Sequence, residues 1–203
     1  MLTPAERDRA ARGTLPVHRR RVLVRAGLRQ LLGQLLDLPP AAVPLGSDRG
    51  RPVVLGRRWG RRPQASCSTS GDVALIGVST GVRLSVDVQQ VHGEDVEVAV
   101  AEGWLTEDER RGVDRLPPPE RARAVARAWV QKEAVLKAEG CGLIRSPRTV
   151  LTPGADHGLV EGWALSPVHP AGGAVACLAV RAPTCRRWVP QLRGWAGRPV
   201  NCS

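Results

Sequence analysis

Hydrophobic positions near the start of the chain follow a helical spacing. Between residues 20 and 37 the leucines and valines recur at intervals of three and four, which places them on one face of an amphipathic helix. The sequence LPP at residues 38–40 ends this pattern, because proline cannot continue a helix. After a turn-rich stretch, the apolar residues 53–55 predict a short strand.

Two runs with β-like composition follow, DVALIGVS at residues 72–79 and VRLSVDVQ at residues 82–89. Only Thr80 and Gly81 separate them, so we expect the two strands to pair as an antiparallel hairpin. A second hairpin is expected near residues 160–165 and 174–180. The proline- and arginine-rich tail from Pro183 receives no assignment.

The region between the two expected hairpins has a helical pattern. One helix is predicted over residues 95–113, and LPPPE at residues 116–120 interrupts it. Residues 120–139 are rich in Ala and Arg and predict a long helix that ends at Gly140. Helices between antiparallel hairpins indicate an α+β fold. The sequence contains neither G-x-G-x-x-G nor a G-x-x-x-x-G-K-[ST] phosphate loop.

Charge and composition narrow the class of partner. The 203 residues carry a net charge of +11 and are 42% hydrophobic, which is a globular composition. Arginine occurs 28 times and lysine twice, a bias typical of a GC-rich genome. A basic surface attracts nucleotides, acidic proteins or nucleic acid. We do not expect nucleic acid, because no zinc finger, helix-turn-helix or aromatic RNA-binding pattern is present.

Cysteine usage and apolar runs indicate a cytoplasmic protein. The five cysteines are odd in number and widely spaced, so they form neither a disulfide framework nor a structural zinc site. The N-terminal residues lack the apolar segment of a secretory signal. The longest apolar run is too short to span a bilayer.

Both lysines lie in one segment, AWVQKEAVLKAEGCGL at residues 128–143. On a helix, Trp129, Glu133 and Lys137 share one stripe, since they are four residues apart. An ordinary Glu–Lys surface pair also has this spacing. In a chain that otherwise uses arginine, however, lysine indicates a need for a compact charge that can approach a phosphate. Lys132 is either a solvated helix residue or a residue that tunes charge beside the site.

A second group of polar side chains lies on the predicted strand SVDVQ. Asp87 and Gln89 are two residues apart, so both point to the same face of the sheet. Together with Glu133 they would offer the oxygen ligands that Mg²⁺ prefers. The alternative is that Asp87 ends an edge strand or caps a turn.

These motifs resemble those of the larger, carrier-protein-activating 4′-phosphopantetheinyl transferases. The helix segment is similar to the family pattern W-x-x-K-E-A/S-x-x-K-x-x-G-x-G-L, and SVDVQ resembles G-V/I-D-I/V-E. VLVRAGLRQLL at residues 22–32 resembles the family's N-terminal helix, and SCSTSGD at residues 66–72 its N-x-S-H-S-G segment. GRP at residues 50–52 and WLTEDE at residues 104–109 also resemble family segments, so the likeness covers residues 15–180.

The resemblance implies two pseudo-symmetric α+β halves, residues 1–93 and 94–203. Each half would pack an antiparallel sheet against a long helix, with the active site between them. The family transfers phosphopantetheine from coenzyme A to a serine of an acyl or peptidyl carrier protein and releases 3′,5′-ADP. We therefore expect a magnesium-dependent, monomeric, cytoplasmic enzyme with coenzyme A and a carrier protein as partners. The longer, two-half form of the family favours a role in secondary metabolism over one in fatty-acid synthesis.

The resemblance also assigns roles to individual residues. Asp87, Gln89 and Glu133 would bind magnesium. Lys137 would contact the α-phosphate and stabilise the leaving group, and Glu107 would accept the serine proton. The remaining expected contacts with coenzyme A are Arg25, Arg51, Ser68 and Thr69.

Four positions depart from the family pattern. Thr69 stands where the family usually has a phosphate-binding histidine, and Gln89 where it has an acidic residue. Ser85 replaces a glycine and Cys67 an asparagine. These departures favour either a specialised transferase or a diverged relative that binds coenzyme A or a carrier without transferring.

Overall fold

A computed structural model describes residues 2–48, 51–56, 63–140 and 144–182. The helices are α1 (Pro4–Ala11), α2 (Leu15–Leu36), α3 (Asp95–Ala101), α4 (Glu107–Asp114) and α5 (Pro118–Glu139). The strands are β1 (Leu45–Asp48), β2 (Arg51–Val54), β3 (Gln64–Ser70), β4 (Val73–Ser79), β5 (Leu84–Gln89), β6 (Gly158–Val160), β7 (Trp163–Val168) and β8 (Val175–Arg181).

The described strands form three antiparallel sheets. The largest has the order β5-β8-β7-β6, and the pairs β1-β2 and β3-β4 form two-stranded sheets. Helix α5 packs on the four-stranded sheet, where Trp163 is buried beside Val130 and Ala134. This arrangement confirms the predicted α+β class, and the pairing of β7 with β8 confirms the second hairpin.

The predicted hairpin between β4 and β5 is wrong. β4 pairs with β3, and β5 pairs with β8, which places Asp87 opposite Cys177. The reason is that β5 has two buried faces, and the apolar face, which carries Leu84 and Val86, is covered by β4. A side chain at Gly77 of β4 would come within 2.9 Å of Leu84. The short link therefore folds β4 over the face of β5, not alongside it.

Serine hydroxyls connect β3 to β5. Ser66 Oγ accepts a hydrogen bond from the Val86 N–H at 3.1 Å, and Ser70 Oγ accepts one from the Gln90 N–H at 2.9 Å. We call the residues Ser66, Ser68 and Ser70 the serine row. Because alternate residues of a strand share a face, the whole row points toward β5. Such a strand has no hydrophobic alternation, so sequence patterns did not predict β3.

The predicted helix over residues 95–113 is two helices. Gly103 has a φ of 65°, a left-handed conformation that ends the first segment after α3. Thr106 then starts α4 with a capping box, in which its side chain and that of Glu109 satisfy each other's backbone N–H groups. The long helix α5 ends at Gly140 with a φ of 81°, as predicted.

Helix α1, which the sequence analysis did not predict, is attached to α2 by one carboxylate. Glu6 accepts hydrogen bonds from Arg25 at 2.5 Å and from Arg29 at 2.8 Å. Burial alone would raise the pKa of Glu6, but hydrogen bonds from Arg29, Thr3 and Arg25 outweigh it and lower the pKa to about 2. Glu6 is therefore ionised at neutral pH.

The predicted boundary at residues 93 and 94 lies between β5 and α3. Because β5 pairs with β8, the two predicted halves share the four-stranded sheet. The division into two halves, and their symmetry, stay predictions. The tail from Pro183 lies outside the described residues. No helix in the described parts of the chain is both long and apolar enough to cross a membrane.

Lys132 has a structural position that neither of the two interpretations predicted. Its side chain is fully buried, and Nζ donates to the carbonyls of Val150 at 2.6 Å and Pro147 at 3.2 Å. The same Nζ lies 2.8 Å from the Glu109 carboxylate, which also accepts from the backbone and hydroxyl of Thr152. One ammonium group therefore joins α5 to α4 and to the segment that follows α5.

We expect Lys132→Met to lower the free energy of unfolding by about 3–5 kcal/mol, because it leaves the buried Glu109 carboxylate without its cation. The double variant Lys132→Met/Glu109→Gln should recover part of this loss, since it removes the unpaired charge. Chemical denaturation measures both. Arg127→Met, which removes a partly exposed ion pair with Asp156 from the same helix, is the matched control and should cost no more than about 1 kcal/mol. A loss below about 1 kcal/mol in Lys132→Met would contradict the proposed clamp.

Candidate active site

Side chains from β3, β5 and α5 meet at one point. Lys137 Nζ donates a hydrogen bond to Asp87 Oδ1 and lies 3.8 Å from Glu133 Oε2. Ser68 Oγ donates to the same Asp87 oxygen at 2.6 Å and lies 3.3 Å from Lys137 Nζ. We call Ser68, Asp87, Glu133 and Lys137 the polar cluster.

Local structure explains this convergence. The alternation of β5 turns Leu84, Val86 and Val88 toward β4, so Asp87 faces the opposite side. Glu133 and Lys137 are four residues apart and lie on the same side of α5. Packing of α5 on β5 then brings the strand carboxylate to the helix stripe.

The polar cluster carries more negative than positive charge. Asp87 and Glu133 are both buried, and Lys137 is partly exposed. Burial raises the pKa of Asp87, and the Lys137 ammonium and Ser68 hydroxyl only partly oppose it. Burial also raises the pKa of Glu133. The charge of Lys137 opposes this upward shift, and the charge of Asp87 adds to it. A second cation would relieve this repulsion.

Glu133 Oε1 is the strongest indication that a cation fits here. This oxygen is buried and has no hydrogen-bond partner among the described residues. A buried acceptor without a partner is costly, and a hard divalent cation would satisfy it. No group of three or more His, Cys, Asp or Glu side chains with metal-binding geometry occurs in the described ranges. Mg²⁺ needs only one or two carboxylates, because phosphate and water complete its coordination.

The predicted third ligand, Gln89, has another described partner. Its Oε1 accepts a hydrogen bond from Ser70 Oγ at 3.4 Å. Within the described residues, Gln89 forms no hydrogen bond with Asp87 or Glu133. A role of Gln89 in metal binding therefore stays a prediction.

A cavity of about 520 Å³ adjoins the polar cluster. Three of the predicted coenzyme A contacts line it: Arg25, Ser68 and Thr69. Its wall also contains Arg9, Arg20 and Arg21. Since Ser68 belongs to both, the cavity borders the polar cluster, although Asp87, Glu133 and Lys137 do not line it. An arginine-lined cavity of this size suits a ligand with several phosphates.

Of the predicted coenzyme A contacts, Lys137 does not line this cavity, and neither does Arg51. Arg51 lies near the C-terminal end of α5, where a side chain at Gly140 would come within 3.6 Å of its Nη1. Its role in binding coenzyme A stays a prediction.

The structure does not bring Glu107 to the polar cluster. It is the first residue of α4, its side chain is 58% exposed, and Arg110 binds it at 2.7 Å. The hydrogen bond from Arg110 lowers the pKa of Glu107. A carboxyl group with a lowered pKa is a weaker proton acceptor. The role of Glu107 as the base therefore stays a prediction without support from this geometry.

Two glutamates that the sequence analysis did not single out have defined positions. Glu6 binds the arginines of α2, and Glu109 binds Lys132. Both stand three residues after a threonine, at Thr3 and Thr106, and both complete capping boxes. This T-x-x-E spacing is visible in the sequence and would have predicted the start of α1 and of α4. It carries no information about the arginine or lysine partner.

Comparison with known proteins agrees with this site. The model of the 4′-phosphopantetheinyl transferase superfamily matches residues 83–160, which include β5, α4 and α5. The chain is 30% identical over 186 residues to the 4′-phosphopantetheinyl transferase HetI of Nostoc sp., covering 88% of this chain and 78% of that protein. It is also 30% identical over 145 residues to slr0495 of Synechocystis sp., provisionally named for the same activity, covering 70% of this chain and 58% of that protein.

The chain belongs to the 4′-phosphopantetheinyl transferase superfamily. It is a transferase of that class, which confirms the family predicted from the helix and strand motifs.

We expect Lys137→Met to lower the thermal unfolding midpoint in magnesium-free buffer by several degrees, because Asp87 and Glu133 lose a neighbouring cation. Added MgCl₂ should raise the midpoint of this variant more than that of the wild type, since the metal replaces the missing charge. Differential scanning calorimetry measures both shifts. The control Lys137→Met/Asp87→Asn should respond little to magnesium. Equal magnesium shifts in the wild type and Lys137→Met would contradict this account of the polar cluster.

Proposed function

We propose that this enzyme transfers the 4′-phosphopantetheine group of coenzyme A to a serine of an acyl or peptidyl carrier protein. The observation that supports this most directly is the polar cluster, two buried carboxylates and a lysine at the edge of an arginine-lined cavity. The 4′-phosphopantetheinyl transferase named HetI is a relative over most of the chain. The net charge of +11 favours both an anionic substrate and an acidic carrier.

In this proposal coenzyme A occupies the cavity. Ser68 and Thr69 stand where the cavity adjoins the polar cluster, so the pyrophosphate lies there. Arg25, with Arg9 nearby, meets the nucleotide part of the substrate. Arg51 is retained as a further predicted contact. Thr69 supplies a hydroxyl where relatives have a histidine, and the arginines of the cavity wall offset that missing positive charge.

Asp87 and Glu133 would hold Mg²⁺, with Gln89 as a predicted additional oxygen donor. The unpaired Glu133 Oε1 and the buried carboxylate of Asp87 support this assignment. When bound, the metal supplies positive charge that neutralises the pyrophosphate oxygens.

Lys137 would change partner during the reaction. Without substrate its ammonium group neutralises Asp87. Were Asp87 and Glu133 to hold the metal, Lys137 would be free to contact the α-phosphate of coenzyme A. There it stabilises the negative charge on the departing 3′,5′-ADP. This role requires a small, mobile cation and explains lysine in a chain rich in arginine.

The transfer itself is a substitution at phosphorus. The carrier serine oxygen bonds to the β-phosphorus, and the bond from that phosphorus to the bridging oxygen breaks. The serine proton passes to a carboxylate, and 3′,5′-ADP leaves with the electron pair of the broken bond. The structure favours neither candidate acceptor: Glu133 is assigned to the metal through the same unpaired Oε1, and Arg110 binds the exposed Glu107.

A second candidate is a diverged relative that binds coenzyme A or a carrier protein without transfer. Thr69 and Gln89 favour it, because each replaces a charged residue of the family pattern. We also propose that the protein is a cytoplasmic monomer that serves secondary metabolism.

Mass spectrometry of an apo acyl carrier protein and an apo peptidyl carrier domain tests the proposed transfer. Incubated with enzyme, coenzyme A and magnesium, one or both should gain the mass of one phosphopantetheine. We expect EDTA to abolish the gain and Lys137→Met to reduce its rate at least 100-fold, about 3 kcal/mol of transition-state stabilisation. Coenzyme A binding without any mass gain would favour the diverged relative.

Glu107→Gln tests the predicted base, and Glu133→Gln tests the predicted metal ligand. We expect Glu107→Gln to keep kcat within about threefold of the wild type, because its carboxylate is exposed and bound by Arg110. Glu133→Gln should lower kcat by about 100-fold or more, because the metal would lose one of its two carboxylates. Steady-state kinetics with saturating carrier measures both. A large loss in Glu107→Gln alone would restore Glu107 as the base.

A further inference from the structure

The carboxylate of Glu6 lies between two arginines of different burial. Arg29 is 2% exposed, Glu6 is 10% exposed and Arg25 is 22% exposed. Arg25 and Glu6 both line the cavity. Arg29, Glu6 and Arg25 are therefore linked in a row from the buried side of α2 to the cavity. We call these three residues the arginine relay.

The inner end of the arginine relay is rigidly fixed. Arg29 Nη1 donates to the carbonyls of Pro40 at 2.9 Å and Val43 at 3.0 Å, and its Nε donates to Glu6 at 2.8 Å. Because a buried guanidinium with several acceptors cannot rotate freely, it holds the Glu6 carboxylate in place. The capping box of Thr3 and Glu6 fixes the backbone at the start of α1.

The outer end is oriented by this carboxylate. Glu6 accepts from Arg25 Nε at 2.5 Å, and Arg25 Nη2 lies 3.3 Å from the carbonyl of Leu45. Both contacts act on the planar guanidinium group, so they define the direction in which it faces. An oriented guanidinium binds a phosphate with two parallel hydrogen bonds, whereas a rotating one does so at an entropic cost.

We propose that Glu6 is a positioning residue that sets Arg25 to bind the 3′-phosphate of coenzyme A and thereby determines the preference for a 3′-phosphorylated nucleotide. This inference rests on the proposed function. The pyrophosphate is assigned to the polar cluster, and Arg25 has no described contact with that cluster. The 3′-phosphate is the remaining phosphate of coenzyme A, and it needs a cation of its own.

Electrostatic repulsion alone predicts a different result for the removal of Glu6 than a positioning role does. Glu6 is a negative charge in the wall of a cavity that receives a polyanion, so its removal alone should strengthen binding of coenzyme A. If Glu6 positions Arg25, its removal should weaken that binding. The sign of the change therefore distinguishes a positioning residue from a competing carboxylate.

Isothermal titration of coenzyme A and of dephospho-coenzyme A, which lacks the 3′-phosphate, into the full-length protein tests this inference. Glu6→Gln should weaken coenzyme A binding about tenfold or more, as expected when a charge-assisted contact is lost, and dephospho-coenzyme A binding less than about threefold. Asp8→Asn, an equal charge change at an exposed position of α1, should leave both affinities unchanged. Glu6→Asp should keep part of the preference, because it retains the charge.

Three results would overturn the inference. Tighter coenzyme A binding by Glu6→Gln would identify Glu6 as a competing carboxylate. Equal weakening of both ligands would identify a purely structural role in docking α1. Unchanged affinities for both ligands would remove any role of Glu6 in binding or selectivity. Failure of the wild type to bind either ligand would instead refute the proposed function, and this inference with it.

Discussion

The contact between Asp87 and Lys137 is the interaction on which the account of this molecule depends. It joins the middle of β5 to the last turn of α5, and the two residues lie 50 positions apart in the chain. Two buried carboxylates and one partly exposed ammonium group leave an excess of negative charge. Such an arrangement is poor as a stabilising device, since burial costs more than one lysine returns. It is well suited to a site that waits for a cation and a phosphate.

Much of the fold serves to present this contact. The serine row links β3 to β5 through hydroxyl groups and so delivers Ser68 to Asp87. β4 covers the apolar face of β5, which leaves the polar face for α5. Lys132, one residue before Glu133, is buried against α4 and the segment after α5. The two lysines of the chain thus have opposite tasks: Lys132 is fixed by its partners, and Lys137 must be able to leave its own.

The sequence predicted the parts of the fold that depend on local pattern. The long helix, its end at Gly140 and the second hairpin follow from helix propensity, glycine conformation and alternation, and the structure agrees. The partner of β5 could not be predicted in this way, because strand pairing depends on which of two buried faces β4 covers. β3 could not be predicted from hydrophobic alternation, because serine, not an apolar residue, occupies its alternate positions. α1 was missed although its capping box is visible in the sequence.

The candidate site also contains residues that local sequence pattern predicts and residues that it does not. Spacing along β5 and α5 was sufficient to propose Asp87, Glu133 and Lys137 together, because each lies on a regular element whose faces are predictable. Glu107 lies at the first turn of a short helix, where two positions along the helix separate a side chain in solvent from one packed against α5. Its neighbour Glu109 is the buried one of the pair, and Arg110 holds Glu107 outside. Sequence spacing alone could not distinguish these two glutamates.

Diffraction from crystals grown with Mn²⁺ and coenzyme A is the most direct test of the metal site, because anomalous differences locate the cation and the electron density of the same crystal shows the position of Lys137. The account predicts a manganese peak bound by the carboxylates of Asp87 and Glu133, with Lys137 Nζ moved from Asp87 to a phosphate oxygen. A peak elsewhere, or Lys137 still bound to Asp87 in the presence of both ligands, would contradict it.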